Sequence, residues 1–379
     1  MADFASTFFS LDNIVFTTII PFLFVLTVVV FVHEMGHYLV GRWCGIGVSE
    51  FSVGFGPELV GFNDRRGTRW KLSAIPLGGY VKFLGDMSVT SDPSSQEAAT
   101  LSPEERKAAF HLQPVWKRAA TVFAGPAFNF LLTIAVFAVM FSIYGRTITE
   151  PTVAEVRPGS PAEAAGFLPG DRFVSVDGRR VATFADVQRL VSGRAGDSIV
   201  FVMARNGGEV TLTATPELVE QTDALGNAIR IGVIGVVNNE ALGQPRHIEY
   251  GPVESLTQAV METGHIIVRT GQFLQRFAAG REDRCQLGGP VRIADMAGKA
   301  AALGFEWVVQ LVAILSVGIG FLNLLPIPPL DGGHLVFYGA EAVMRRPVSE
   351  RLMEAFYRVG MVAVLGFMAF VFWNDLFGC

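Results

Sequence analysis

Four long runs without a charged side chain restrict what this chain can fold into. Ile14–Val32, Ala119–Tyr144 and Trp307–Leu330 are uncharged. Val359–Trp373 is shorter, and extends back past Arg358 if that side chain snorkels to an interface. About 20 apolar residues in a helix span a bilayer. The pattern therefore predicts an α-helical polytopic membrane protein with four transmembrane helices. Buried helices of a large soluble core rarely stay uncharged for so long. Composition points the same way, with 50% hydrophobic and only 17% charged residues. Disorder needs the opposite balance. A net charge of −5 offers no electrostatic footprint for nucleic acid. Cys44, Cys285 and Cys379 cannot build a disulfide framework, and no CxxC pair is present for a thiolate zinc site.

The segment MADFASTFFSLDN lacks a basic n-region, and no small-residue cleavage site follows the first apolar run. That run is therefore expected to remain as a membrane helix rather than serve as a signal peptide. Orientation follows from the basic residues that flank the helices. Arg345, Arg346 and Arg351 lie between the third and fourth runs, and Lys117 and Arg118 precede the second. Arg42, and beyond it Arg65, Arg66, Arg69 and Lys71, follow the first. These ends should face the cytoplasm. Both termini and the long segment from about Gly145 to Gly304 should then lie on the other side.

The parts divide as follows. Residues 1–46 carry the first helix. Residues 47–117 hold a β region and a loop. The β region reads as short strands in VSEFSVGFGPEL and TRWKLSAIPLGGYVKFLG, and it is apolar enough to dip into the membrane as a hairpin. Such backbone is tolerated at that depth only when buried in protein or lining a wet cavity. SVTSDPSSQEAATLSPEERK reads as a polar loop. Residues 118–145 form the second helix. Residues 150–240 form an inserted α+β domain, with TFADVQRLV as a helix and SIVFVMARNGGEVTLTATP as a hairpin over a Gly-Gly turn. PGSPAEAAGFLPGD followed by VDG resembles a PDZ domain of the bacterial protease type. Residues 252–304 hold an amphipathic helix over Pro252–Phe277 and a connector. That helix suits either the membrane surface or packing on the soluble domain. Residues 305–379 carry the third and fourth helices.

FVHEMGHYLVGRW concentrates the chemistry. His33 and His37 are four apart, so on a helix both point to one face, with Glu34 beside His33. Two imidazoles at this spacing bind zinc, and the carboxylate acts as general base. Three ionisable residues at the end of an apolar span are costly, at roughly 2.5–3.5 kcal/mol for a central Asp or Lys on insertion scales. A metal partner relieves that cost. A catalytic zinc takes three protein ligands and leaves one position open. GIGFLNLLPIPPLDGGHLVFYG offers Asp331, with His334 as the competing ligand. Gly332 and Gly333 make regular helix doubtful there, and Pro326, Pro328 and Pro329 favour an extended piece able to expose backbone.

HEMGH in the first helix, NLLPIPPLDGG downstream and the PDZ-like insert together resemble the site-2 protease family of intramembrane zinc metalloproteases. VGFGPEL, IPLGGYVKFLG and AGPAFNF (Gly125, Pro126, Asn129) match its regulator-of-sigma-E branch. The resemblance implies zinc held by His33, His37 and Asp331, and Glu34 as catalytic base. It implies substrate positioning by Asn323, Pro326 and Pro328. It further implies a single-pass transmembrane substrate, such as an anti-sigma factor, already trimmed by an upstream site-1-type protease. The setting is the bacterial inner membrane, with the active site toward the cytoplasm and the termini and PDZ domain periplasmic. The branch carries two tandem PDZ domains, whereas one is visible here. A non-enzymatic PDZ scaffold with a vestigial metal site is the competing class, and the intact HExxH and Asp331 weigh against it. A transporter is disfavoured by the lack of an inverted repeat.

Overall fold

Residues 15–85, 102–222, 228–238, 246–280, 282 and 284–378 are described in the computed structural model. Most of the polar loop expected after residue 87 lies outside them. Its last part, Pro103–Ala108, is a short helix with a Ser102–Glu105 capping box. Two compact units emerge. One comprises residues 1–137, 259–267 and 287–379, the other 138–258 and 268–286.

Among the described residues, four helices are long and apolar enough to cross a membrane: Val15–Trp43, Val115–Tyr144, Phe305–Asn323 and Arg351–Phe377. Helix α1 (Ile20–Trp43) runs well past the apolar stretch and carries His33–His37 within it. It stops before Gly45, which takes φ +81°, a conformation that costs a residue with Cβ. Helix α2 spans Val115–Tyr144.

The β region consists of β1 (Val48–Asn63) and β2 (Arg69–Phe83). Each long strand pairs twice. Phe51 is opposite Val81 on one side and Trp70 on the other, and Phe62 is also opposite Trp70. The first half of β1 thus lies inside the sheet, and Gly79–Phe83 forms an edge. Phe51 is buried and stacks on Trp70 at 4.4 Å between centroids. The turn between the strands is tied to α1. Asp64 accepts from the Arg66 and Thr68 amides, from Trp70 Nε1 and from the Tyr38 hydroxyl. Burial opposes ionisation of Asp64, but these donors outweigh it and hold its pKa down to about 2. Arg42 adds bonds to Arg66 O and Thr68 Oγ1.

In the second unit, β3 (Arg172–Val176), β4 (Arg179–Arg180), β5 (Ile199–Arg205) and β6 (Gly208–Ala214) form an antiparallel sheet in the order β4-β3-β5-β6. Helix α3 (Phe184–Ser192) is capped by Thr183. Phe173, Ile199, Phe201 and Met203 are fully buried beneath it. The β5–β6 turn is Asn206–Gly207, with φ +51° and +82°, rather than the expected Gly-Gly pair. Asn tolerates that conformation, which leaves Gly208 to open the next strand. Asp171, from the PGSPAEAAGFLPGD motif, is buried and accepts from Arg205 at 2.7 and 2.6 Å.

Helix α4 (Pro252–Ala278) matches the expected amphipathic helix in extent. Its packed side is the small one, with Ser255, Ala259 and Thr263 buried, while Val253, Leu256, Val260 and Val268 are exposed. Residues 290–303, expected as connector, form helix α5 (Pro290–Leu303). Its N-terminus is capped by Asp375, which accepts from the amides of Gly289, Val291 and Arg292. Helix α6 (Phe305–Asn323) ends seven residues before the apolar run does. The proline segment is not extended. It folds into turns, with Ile327 N bonded to Leu325 O and Leu330 N to Ile327 O. Helix α7 (Asp331–Met344) then begins at Asp331 and includes Gly332 and Gly333, against the expectation that these would interrupt regular helix. The connection between the third and fourth spans is thus a turn segment plus a helix. Helix α8 spans Glu350–Trp373.

Candidate metal centre

His33 and His37 stand one helical turn apart on α1, and each is only 8% exposed. Asp331 reaches them from the first residue of α7. His33 Nε2 lies 3.1 Å and His37 Nε2 3.5 Å from Asp331 Oδ2, and the two Nε2 atoms are 3.1 Å apart. These three residues could hold a metal ion, because their potential ligand atoms all fall within 4.8 Å of one another. A tetrahedral zinc at 2.0–2.1 Å from each donor would separate the donors by roughly 3.3 Å. The spacing therefore fits zinc without rearrangement. Asp331 Oδ2 is buried with no hydrogen-bond donor, as expected for an atom whose partner is a cation.

The rest of the site keeps both Nε2 atoms aimed at that point. His37 Nδ1 donates to Thr121 O at 2.9 Å, which leaves Nε2 free as a ligand. His33 Nδ1 is 3.2 Å from the amide nitrogen of Asn129, whose Oδ1 is buried and unpaired. Turning that amide end for end lets Oδ1 accept from an Nδ1–H, the tautomer that a histidine bound through Nε2 requires. Asn129 is itself fixed. Its carbonyl accepts from Thr133 and Ser316, and Thr133 also donates to Ala313 O. Thr121, Gly125, Asn129 and Thr133 recur every four residues, so they share one face of α2.

Gly125 leaves the space. A Cβ there would fall 2.3 Å from His37 Nε2 and 2.9 Å from His33 Cε1. At Gly36 a Cβ would fall 2.4 Å from Ala124 O, so α1 and α2 approach backbone to backbone. The start of α7 is seated in the same manner. Cβ atoms on Gly332 and Gly333 would strike Leu325 O at 2.2 Å and Pro328 N at 2.8 Å. Arg118 on α2 pairs with Glu341 on α7 at 2.7 Å and lies over the Tyr338 ring.

Glu34 lies beside His33 and faces β2. A Cβ on Gly79 would be 3.5 Å from Glu34 Cγ. His334 turns away from the trio to the Tyr357 hydroxyl, 2.6 Å from its Nδ1. Asn323 ends α6, and Pro326 and Pro328 lie in the turns that lead to Asp331. These three stand next to the site along the chain, but among the described residues none joins the ligand group. The sequence names Asn129 only as part of AGPAFNF, without a task, and nothing in it singles out Thr121. The one signal they share is a four-residue polar period inside an apolar run.

A family model for peptidase family M50 matches residues 21–367. A Mesorhizobium japonicum protein named for zinc metalloprotease activity is 75% identical over 96% of this chain and 99% of its own length. A Brucella suis protein named in the same way is 65% identical over the whole of both chains. Metalloprotease MmpA of Caulobacter vibrioides is 40% identical over 94% of this chain and 95% of its own length. Likeness over this extent, on a chain that brings two histidines and an aspartate together between apolar helices, carries the assignment: the chain belongs to peptidase family M50 and is a zinc metalloprotease.

Proposed function

We propose that the protein cuts transmembrane segments of single-pass membrane proteins, with zinc on His33, His37 and Asp331 and with Glu34 as general base. The observation that carries this reading is the trio's setting. His33 and His37 sit in a helix with the length and apolarity of a membrane span, and Asp331, at the start of the shorter helix α7, lies 3.1 and 3.5 Å from them. When bound, zinc lowers the pKa of a coordinated water toward ~7 and polarises the scissile carbonyl. Glu34 takes a proton from the attacking water and returns it to the leaving nitrogen. Thr121 and Asn129 hold the imidazoles in their ligand orientation, and Gly125 keeps that volume open.

A transmembrane helix hides its carbonyls in its own hydrogen bonds, so the substrate must unwind locally. The edge Gly79–Phe83, next to Glu34, suits strand addition by the unwound stretch. Asn323, Pro326 and Pro328 help to position it. The inserted domain acts as a PDZ-like filter that excludes untrimmed ectodomains, so cleavage follows a first cut by another protease, as for an anti-sigma factor. The membrane is the bacterial inner membrane, with the metal site toward the cytoplasm and the insert and termini outside.

The test is cleavage of a model transmembrane substrate by purified protein in nanodiscs, native against Glu34→Gln. The variant should keep stoichiometric zinc and lose at least 10²–10⁴ in rate, the usual contribution of general base catalysis at about that range. Comparable cleavage by the zinc-loaded variant would remove Glu34 from the mechanism.

A further inference from the structure

A cavity of about 520 Å³ opens between α1, β2 and α5, and every residue lining it is apolar. Ile19, Phe22 and Leu23 supply one wall, Ala74–Pro76 of β2 the second, and the first turn of α5, through Ala294, the third. All belong to the unit that holds the metal centre. The cavity is not the centre itself, but two tracks join them. Leu23 and Glu34 are eleven residues apart on α1, which returns them to the same face within about 20° after about 16 Å of rise. Val30 lies on that stripe, and β2 runs along it, since a Cβ at Gly79 would meet Val30 Cγ1 at 3.2 Å and Glu34 Cγ at 3.5 Å. Along β2, Pro76 and Val81 are five residues apart, at most about 17 Å, with a bend between them at Gly78, which takes φ +105°.

We infer that this cavity is a substrate subsite that takes a bulky apolar side chain about five residues from the scissile bond. The inference rests on the protease reading above. A segment lying extended beside Gly79–Phe83 reaches the cavity at that distance by either ruler, because the cavity wall is the continuation of the same strand. The chemistry is selective for shape rather than for hydrophobicity. A transmembrane side chain leaves lipid tails that are as apolar as the cavity, so its gain is packing contact. A polar side chain finds no hydrogen-bond partner among these walls and is rejected. The subsite thereby sets the register of cleavage. It holds one residue of the segment while the next few are drawn out along the edge strand, which fixes the carbonyl that reaches Glu34.

The test scans one model transmembrane substrate with Leu, Phe, Ala and Asn at each position, in nanodiscs, with the cut mapped by mass spectrometry. Leu or Phe should be favoured over Ala by about fivefold to tenfold in kcat/KM, and over Asn by more, at a single position about five residues from the cut. Moving the bulky residue by one should move the cut by one. Ala294→Trp, which fills the cavity, should collapse that preference through KM. A flat scan with efficient cleavage overturns the subsite while the protease reading stands. If no substrate is cut, the protease reading is what fails, and a second measurement still decides the subsite. A photo-crosslinker at Leu23 in Glu34→Gln protein should capture the substrate at the predicted residue. Capture of lipid alone, with substrate present and bound, assigns the cavity to acyl chains and overturns the inference.

Discussion

The third ligand depends on which of two competent side chains faces the histidines. Asp331 and His334 are three apart on α7, yet Asp331 lies 3.1 Å from His33 Nε2 while His334 contacts the Tyr357 hydroxyl. Asp331→Ala should lose most of the zinc and all activity. His334→Ala should keep zinc, with at most a partial loss of rate. Metal analysis of both variants checks this, and the reverse pattern would transfer the ligand role to His334. Asn129 makes a separate claim, because it touches a ligand rather than the metal. Asn129→Leu preserves volume and removes the acceptor, and should weaken zinc binding by about 10–100-fold in a chelator competition. Asn129→Asp keeps an acceptor and should recover part of the loss. Equal affinity in all three proteins would make Asn129 a packing residue only. The motif around His33 could be read from spacing alone, since four residues on a helix define a face. Asn129 could not, because its partner is 96 positions away.

At the level of elements, the inserted domain depends on a buried ion pair. Burial opposes ionisation of Asp171, but the bidentate Arg205 guanidinium and the Leu168 amide prevail and keep its carboxyl below the usual range. Because its folded-state pKa lies below the unfolded value of about 3.9, the pair's contribution is present above that pH. It is lost as pH falls through the folded value. Asp171→Asn leaves Arg205 without its partner and the Leu168 amide with a weaker acceptor, and should destabilise the insert. Hydrogen exchange in the full chain should show the difference at pH 5–8 and see it close toward pH 3. A difference that persists unchanged in acid would contradict the assignment. The helices were legible here as apolar runs, but their ends were not. The run Trp307–Leu330 covers both α6 and the turns after it, because Leu and Pro keep the hydropathy high where Pro326, Pro328 and Pro329 end the helix.

For the whole molecule, the insert should regulate rather than catalyse, because every proposed catalytic residue lies outside it. The strands also define where it can be removed. Glu155–Val156 pairs with Val236–Val237, so a deletion from about 150 to 238 removes both partners together. With a short linker, that deletion should leave cleavage of pre-trimmed substrates intact and allow some cleavage of full-length ones. Loss of activity toward short substrates in folded, zinc-loaded protein would end the filter model.

The sequence by itself determined the class of the molecule and most of its chemistry. Membrane helices need only length and apolarity, and HExxH needs only helical period, so both are written in neighbouring residues. Tertiary structure decided what depends on distant ones. It placed Asp331 rather than His334 beside the two histidines, since α7 begins at the aspartate and His334 meets the Tyr357 hydroxyl. It gave Asn129 and Thr121 their imidazoles and made Gly125 an opening for the ligands rather than a flexible residue. It also made Gly79–Phe83 the edge beside Glu34, because the double pairing of Phe51 puts the first half of β1 inside the sheet. Each of these is a contact between segments far apart in the chain, where period and hydropathy carry no information.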